Sequence, residues 1–472
     1  MRLHETFSEE YFIKGGFSVI GYEIFIRSFA DSNDDGIGDF RGIAQKVDYF
    51  KMIGVDLIWL TPHFKSPSYH GYDIIDYFDT NSSFGLLNDF KYMVDTLHAN
   101  GIKLIIDLPL NHVSDRHPWF KAAMQGEKLY EDYFLWAQPH FNLAEKRHWD
   151  EELLWHTRNG KTYYGVFGGS SPDLNYENPE VVRKSLEILE FWLKLGVDGF
   201  RFDAAKHIYD YDINEGKFRY DHKKNVDYWK LVMEKAKEVK GENIFAVTEV
   251  WDDPEIVDQY AATIGCSFNF YFTEAIREAV QHGSVYKIVD CFQRTLIKKP
   301  YKPSNFTGNH DMHRLAQILT QEEQRKVFFG LLMTAPGVPF IYYGDELGMK
   351  GAYDSTFTED VIEPLPWYAS LSGDGQTFWK AVRYNRAFSG VSVEEQLNRD
   401  GSLLREVIQW TKFRKENPWL ENAWVENVIH NTFTLAYTVT DGLHGMRVYA
   451  NLSGHNENID GILLKPYEVK VI

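Results

Sequence analysis

Along most of the chain, short apolar runs alternate with longer stretches whose apolar positions recur every third or fourth residue. The first kind predicts strands and the second predicts helices. Tyr22 to Phe29 reads as a first strand and Asp39 to Met52 as a helix. Val55 to Leu60 is continuously apolar, which suits a strand covered on both faces. Asn88 to Asn100 is the next helix, ending before Gly101, and Lys103 to Leu108 is the third strand. The alternation then stops. From about Asn111 to Asn175 the chain is rich in aromatics, His and turn residues without a period. So long a structureless loop does not suit a compact domain, and the stretch predicts a small inserted subdomain.

The pattern resumes with helix Glu180 to Leu195, strand Val197 to Phe202, helix Asn225 to Val239 and strand Ile244 to Val250. Further strands fall near Ser267 to Phe270, Ser304 to Thr307 and Val338 to Tyr343, with helices near Pro254 to Thr263, Val285 to Ile297 and Glu322 to Leu332. A last helix, Ser402 to Glu416, follows a long excursion from Gly344 to Gly401. Eight strand–helix units predict an α/β fold, a (β/α)8 TIM barrel. An open doubly wound sheet is the alternative, but no phosphate-cradling Gly-rich turn follows the first strand. Beyond Pro418, Asn431 to Val439 and Leu443 to Asn451 alternate like an antiparallel hairpin. The predicted organisation is a barrel over residues 1–110 and 176–418, an inserted domain over 111–175 and a C-terminal β domain over 419–472.

Composition narrows the function more than the fold. The 472 residues are 44% hydrophobic and 25% charged, ordinary for a globular protein. A formal charge of −18 argues against nucleic acid and anionic membranes as partners. Neutral or cationic ligands stay open. Cys266 and Cys291 are the two cysteines, so no disulfide framework is implied, and both read as small buried hydrophobes. Met1 to Glu10 lacks the apolar core of a secretory signal, and Val327 to Tyr343 is too interrupted by Gly, Thr and Pro for a membrane span. These features predict a cytoplasmic protein of undetermined oligomeric state. The lead-in Met1 to Ser18 is assigned no role.

Candidate chemistry gathers at the C-terminal ends of the predicted strands, where barrels of this kind place reactive groups. In Val197 to His207, strand alternation puts Arg201 and Asp203 on one face. Alone they fit a structural ion pair as well as an active site. Other strand ends change the balance: Asp107 leads to Asn111-His112, Glu249 closes the fifth strand, and the seventh leads to Asn309-His310-Asp311. Asp203, Glu249 and Asp311 on three strand ends would converge on one cavity. Like charges there push the weakest acid's pKa up, leaving one group able to donate a proton beside a carboxylate nucleophile. Retaining glycoside hydrolysis requires that pair. Arg201 could hold Asp203 ionised and oriented.

Six segments resemble, in order, the signature regions of glycoside hydrolase family 13, the α-amylase family. They are Asp107 to His112, Ser171 to Asn175, Gly199 to His207, Thr248 to Trp251, Gly308 to Asp311 and Gly337 to Glu346. The resemblance spans nearly the whole chain from about Gly21. It implies that Asp203 is the nucleophile, Glu249 the acid and then base, and Asp311 a holder of donor-sugar hydroxyls. It further implies that Tyr72, Asp73, His112 and His310 line the donor subsite, and that Lys206, His207 and Trp251 border the acceptor side.

Asp31-Ser32-Asn33-Asp34-Asp35-Gly36-Ile37-Gly38-Asp39 copies the start of a calcium loop, with oxygen side chains at its first, third and fifth positions and a carbonyl at its seventh. Gly42 stands at the twelfth position instead of the bidentate Glu of an EF-hand. An Asp/Asn/Gly turn capping the helix at Asp39 is the alternative. Family relatives carry a very similar Ca2+-binding loop, so the resemblance implies a structural Ca2+ held by Asp31, Asn33, Asp35, Ile37 and Asp39.

The expected substrate is an α-1,4-glucan or maltooligosaccharide. Ala204 follows the nucleophile where α-1,6-specific relatives tend to carry Val. Retaining hydrolysis with some transglycosylation is the first expectation. A 4-α-glucanotransferase is the second, because Ser171 to Asn178, Asn305 to Ala316 and Gly344 to Gly351 look especially like that group. A non-catalytic sugar-binding or scaffold protein is the third, set against the presence of all three carboxylates with Arg201.

Overall fold

The computed structural model describes residues 19–353 and 358–472, so the lead-in Met1 to Ser18 lies outside the described residues. Eight parallel strands make one sheet: β1 (Gly21–Ile24), β2 (Leu57–Leu60), β3 (Lys103–Leu108), β4 (Gly199–Phe202), β5 (Phe245–Thr248), β6 (Cys266–Phe268), β7 (Lys302–Ser304) and β8 (Phe340–Tyr342). Their order is β7-β6-β5-β4-β3-β2-β1-β8. A parallel bridge from Phe306, just past β7, to Phe340 of β8 nearly closes the ring. The predicted barrel is the fold. A four-stranded antiparallel sheet follows it, built from β9 (Trp424–His430), β10 (Thr434–Thr440), β11 (Gly445–Asn451) and β12 (Val469–Val471).

Two local expectations fail for physical reasons. The first strand stops at Ile24, and Ile26–Phe29 winds a helical turn. Ile26, Ser28 and Phe29 are all buried, so no polar alternation marks the change. The apolar run ending at Phe270 is a strand only to Phe268 and then turns into helix Phe270–His282. The Asn269 side chain accepts the Phe272 N–H and starts that helix, an N-cap signal within an aromatic run.

By packing, the chain falls into two compact units. One holds Leu60–Asp95 and Leu104–Ile264. In it β4 lies between β3 and β5, pairing Asp107 with Arg201 and Val247 with Arg201 in register. Gly199 permits this approach, since a Cβ there would stand 1.6 Å from the Phe245 carbonyl oxygen. The stretch after β3 forms helix Pro118–Met124 and the hairpin Trp155–Arg158 with Lys161–Tyr164. Its core joins Phe141, Leu154, Trp155, Tyr164 and Val166 to Phe218, which comes from beyond β4.

The other unit holds the described residues up to Trp59, Thr96–Lys103 and Gly265–Ile472. It contains the C-terminal sheet, which docks where Tyr437 of β10 packs edge-on to Phe292 at 4.8 Å and shares a 2.9 Å hydrogen bond with Thr334. Val327 to Tyr343 is the end of helix Glu322–Thr334 followed by β8. Among the described residues no helix is long and apolar enough to cross a membrane. Cys266 and Cys291 are free and buried, and burial pushes both thiols up to about 12.

Candidate active site

The first unit's constellation is organised by one guanidinium. Arg201, 1% exposed, points its Nη1 at Asp107 Oδ1 (2.9 Å) and at Asp203 Oδ1, while its Nη2 reaches Glu249 Oε2 at 3.0 Å. Burial alone would lower the Arg201 pKa, but Asp107 and then Glu249 outweigh it and hold the guanidinium well above its ordinary value. The arginine is therefore a fixed cation under three carboxylates, and Asp203 and Glu249 sit on adjacent nitrogens of its fork.

Local backbone geometry aims the two carboxylates. Ala204, directly after Asp203, is left-handed at φ 47°, which ends β4 and turns the chain into the short helix Ala205–His207. A non-glycine residue held there carries strain that active sites often store. The turn directs the Ala204 N–H to Glu249 Oε2 at 3.1 Å and the Ala205 N–H to the Glu249 carbonyl at 3.2 Å. The nucleophile and acid candidates are thus coupled through both backbone and arginine.

Around them, Tyr72 donates its hydroxyl to Asp107 Oδ2 at 2.8 Å. His112 contacts the Tyr72 carbonyl oxygen at 3.2 Å, and burial pulls its pKa down to about 4, so its ring is neutral. Asp73 accepts hydroxyl hydrogen bonds from Ser66 (2.7 Å) and Ser68, which orient it. On the other flank Lys206 Nζ donates to the Trp251 carbonyl oxygen (2.7 Å) and Asp252 (2.8 Å), and it lies 4.6 Å from the Tyr220 ring centroid. Trp251 is 46% exposed, offering a flat apolar face to solvent. His207 is tied to Asp210 at 2.8 Å, and burial lowers it to about 3.

A second cluster belongs to the other unit. His310 Nδ1 meets Glu23 Oε1 at 2.7 Å, and His310 Nε2 meets Asp311 Oδ2 at 3.2 Å. Burial opposes the charge on His310, but Asp311 and Glu23 together raise its pKa well above the usual value. Asn309 Oδ1 accepts the Asp311 N–H at 3.0 Å and fixes the turn. Asp311 itself is half exposed, its side chain 46% accessible.

Sequence reading named Asp107 as a strand end but gave it no role, and it missed Glu23, the one acid in the buried strand β1. It also passed over Trp149 and Phe167. Phe167 lies 5.3 Å from His112 and 5.2 Å from His207, and Trp149 lies 5.7 Å from His207. Trp149 is 49% exposed and Phe167 36%, so both show aromatic surface beside these histidines. Nothing in their local sequence separates them from the subdomain's core aromatics.

The Asp31 to Asp39 loop is held by its own side chains. Asp31 Oδ1 accepts the Asn33 and Asp34 N–H groups (2.9 Å each) and its Oδ2 accepts Gly36 N–H at 2.6 Å. Asn33 and Asp35 accept the N–H two residues on, at 3.0 and 2.8 Å. Asp39 caps helix Phe40–Gln45 through Gly42 N–H and accepts from Ser32 with its other oxygen. Among the described residues no group of three or more His, Cys, Asp or Glu is gathered as a metal site.

Comparison with known proteins matches this geometry to a family. The family model "Alpha amylase, catalytic domain" matches residues 23–423. The 4-alpha-glucanotransferase of Thermotoga maritima is 42% identical over 457 residues, covering 96% of this chain and 100% of that protein. Alpha-amylase 3 of Dictyoglomus thermophilum is 34% identical over 418 residues, covering 87% and 80%. The crystal structure of the alpha-amylase from H. orenii superposes with a TM-score of 0.85 at 37% identity, covering 93% of this chain and 90% of that one. With relatives alignable almost end to end and one family model running through both clusters, the chain belongs to the α-amylase family, glycoside hydrolase family 13.

Proposed function

We propose that this enzyme, which acts on α-glucans as its family does, cleaves an α-1,4 bond by double displacement and passes the glycosyl unit to another sugar. Asp203 attacks the anomeric carbon while Glu249 protonates the departing glycosidic oxygen. Glu249, now a base, then deprotonates the acceptor that releases the sugar from Asp203. The observation that carries this reading is the sharing of Arg201 by Asp203 and Glu249. A guanidinium shared by both carboxylates keeps them near one another, which supports the short separation that retaining enzymes need. Asp311 with His310 takes the donor-sugar hydroxyls, and Tyr72, Asp73 and His112 line the donor side. Lys206, His207 and Trp251 border the acceptor.

Transfer is placed before hydrolysis because relatives of 42% identity are named 4-alpha-glucanotransferase. Hydrolysis is the second reading, favoured by the relative named Alpha-amylase 3. The two differ only in whether a sugar hydroxyl or water intercepts the glycosyl enzyme. Maltotriose separates them: early longer oligomers with little new reducing sugar are expected. Reducing ends rising in step with cleavage would establish hydrolysis instead. Isomaltose, with its α-1,6 bond, is expected to be the slower substrate, given Ala204 after the nucleophile.

We further propose a structural Ca2+ at the Asp31 to Asp39 loop. Its donor set fits a hard cation, being oxygen only: Asp31, Asn33, Asp35, the Ile37 carbonyl and Asp39. The N–H bonds already accepted by Asp31, Asn33, Asp35 and Asp39 would have to share their oxygens with the ion, as carboxylate and amide oxygens with two lone pairs each can. The ion would brace the loop after β1 and supply no catalytic step. Millimolar Ca2+ after chelator treatment is expected to raise Tm by about 2 °C or more, and Asp31→Ala is expected to remove the response. An unchanged Tm in the unsubstituted enzyme would leave the loop as a helix-capping turn.

A further inference from the structure

We propose that Glu23 is a positioning residue for Asp311, acting through His310, whose ring it holds as an imidazolium donating to both carboxylates. The role rests on the reading of Asp311 as the carboxylate that takes donor-sugar hydroxyls.

The geometry requires a choice of charge state. His310 presents Nδ1 to Glu23 at 2.7 Å and Nε2 to Asp311 at 3.2 Å. A neutral imidazole carries one N–H, so it serves one carboxylate and turns a lone pair on the other. An imidazolium serves both. His310 is 6% exposed and Glu23 1%, so little water is present to replace the Glu23 contact. The half-exposed Asp311 can turn to solvent once the ring no longer donates to it.

Asp311 and Glu23 are the charged groups that act on His310 most strongly. From β2 the Trp59 ring packs edge-on at 6.1 Å, an apolar wall. From β8 Tyr342 feels Glu23, and the Arg314 guanidinium lies 4.3 Å from the Tyr342 ring. Glu23 thus reaches Asp311 through the ring. Its charge fixes the ring's protonation, and the ring's second N–H fixes the half-exposed Asp311 in one rotamer.

The direction with pH follows. Two carboxylates raise the His310 pKa, so the doubly donating form is full at low pH and is lost as pH rises through that raised value. Removing the Glu23 charge moves the loss to lower pH, so the defect of a neutral replacement grows with pH.

The test uses the full chain with labelled histidine rings, the His310 signal being assigned with His310→Asn. The unsubstituted protein is expected to hold His310 as imidazolium at neutral pH by ring nitrogen shifts, titrating above the range of an ordinary histidine. A neutral ring at pH 7 would overturn the proposal with no variant needed. Glu23→Gln is expected to lower the His310 midpoint by about one unit or more, a tenfold or greater loss of proton affinity. Its kcat on maltotriose should fall about tenfold at pH 8, with the deficit shrinking toward pH 5.5 and KM nearly unchanged. Glu23→Asp, which keeps the charge, should restore most of the pH profile. A pH-independent loss, or an unmoved His310 midpoint, would make Glu23 merely structural. If the unsubstituted enzyme proved inactive on glucans, the ring titration would still decide the Glu23–His310 link, and the functional reading alone would fall.

Discussion

Asp203→Asn is expected to reduce turnover of maltotriose by about 10⁴-fold or more, because it replaces the proposed nucleophilic carboxylate with a non-nucleophilic amide. Folding should survive it. Three carboxylates face Arg201, so replacing one with an amide relieves repulsion and leaves the cation paired with Asp107 and Glu249. The substitution is nearly isosteric at a site 8% exposed, and Tm should stay within about 2 °C. This outcome separates an enzyme from a sugar-binding protein on the same barrel. Unchanged turnover with native circular dichroism would remove the nucleophile assignment.

Glu249→Gln is the second large effect and a chemically different one. The amide can still accept from the Ala204 N–H and from Arg201, contacts now made by Glu249 Oε2. It cannot give a proton to the leaving oxygen or take one from the acceptor. On maltooligosaccharides the expected loss is about 10³-fold or more. On an α-glycosyl fluoride the first step is largely spared, since fluoride leaves without a proton. The second step still lacks its base, so the glycosyl enzyme should accumulate.

How much of this was legible in the sequence differs from residue to residue. The strand Lys103–Leu108 was read at its exact bounds because its apolar run is flanked by clear helix and turn signals. Strand β1 was overrun because Phe25, Ile26 and Phe29 are as buried as the strand itself, and a period cannot be seen where every side is covered. Alternation put Arg201 and Asp203 on one face, but it could not show that Asp107 lies opposite Arg201 in register. That needs the pairing of strands distant in the chain. Glu23 was hidden for the same reason: its meaning comes from His310, which is 287 residues away. Trp149 and Phe167 were lost among many aromatics, because which ring faces outward is decided by the subdomain's packing around Phe141, Trp155 and Tyr164. The Asp31 to Asp39 loop shows the opposite case. Its residues spell both a cation loop and a helix cap, and the cap at Asp39 is made.

The most direct test of the central claim, a glycosyl unit carried on Asp203, is mass spectrometry of the Glu249→Gln enzyme incubated with α-maltosyl fluoride and then digested. The intact protein is expected to gain one maltosyl unit, with the label mapping to the peptide that contains Asp203. A label on another carboxylate, or fluoride release with no adduct at any time, would contradict that claim.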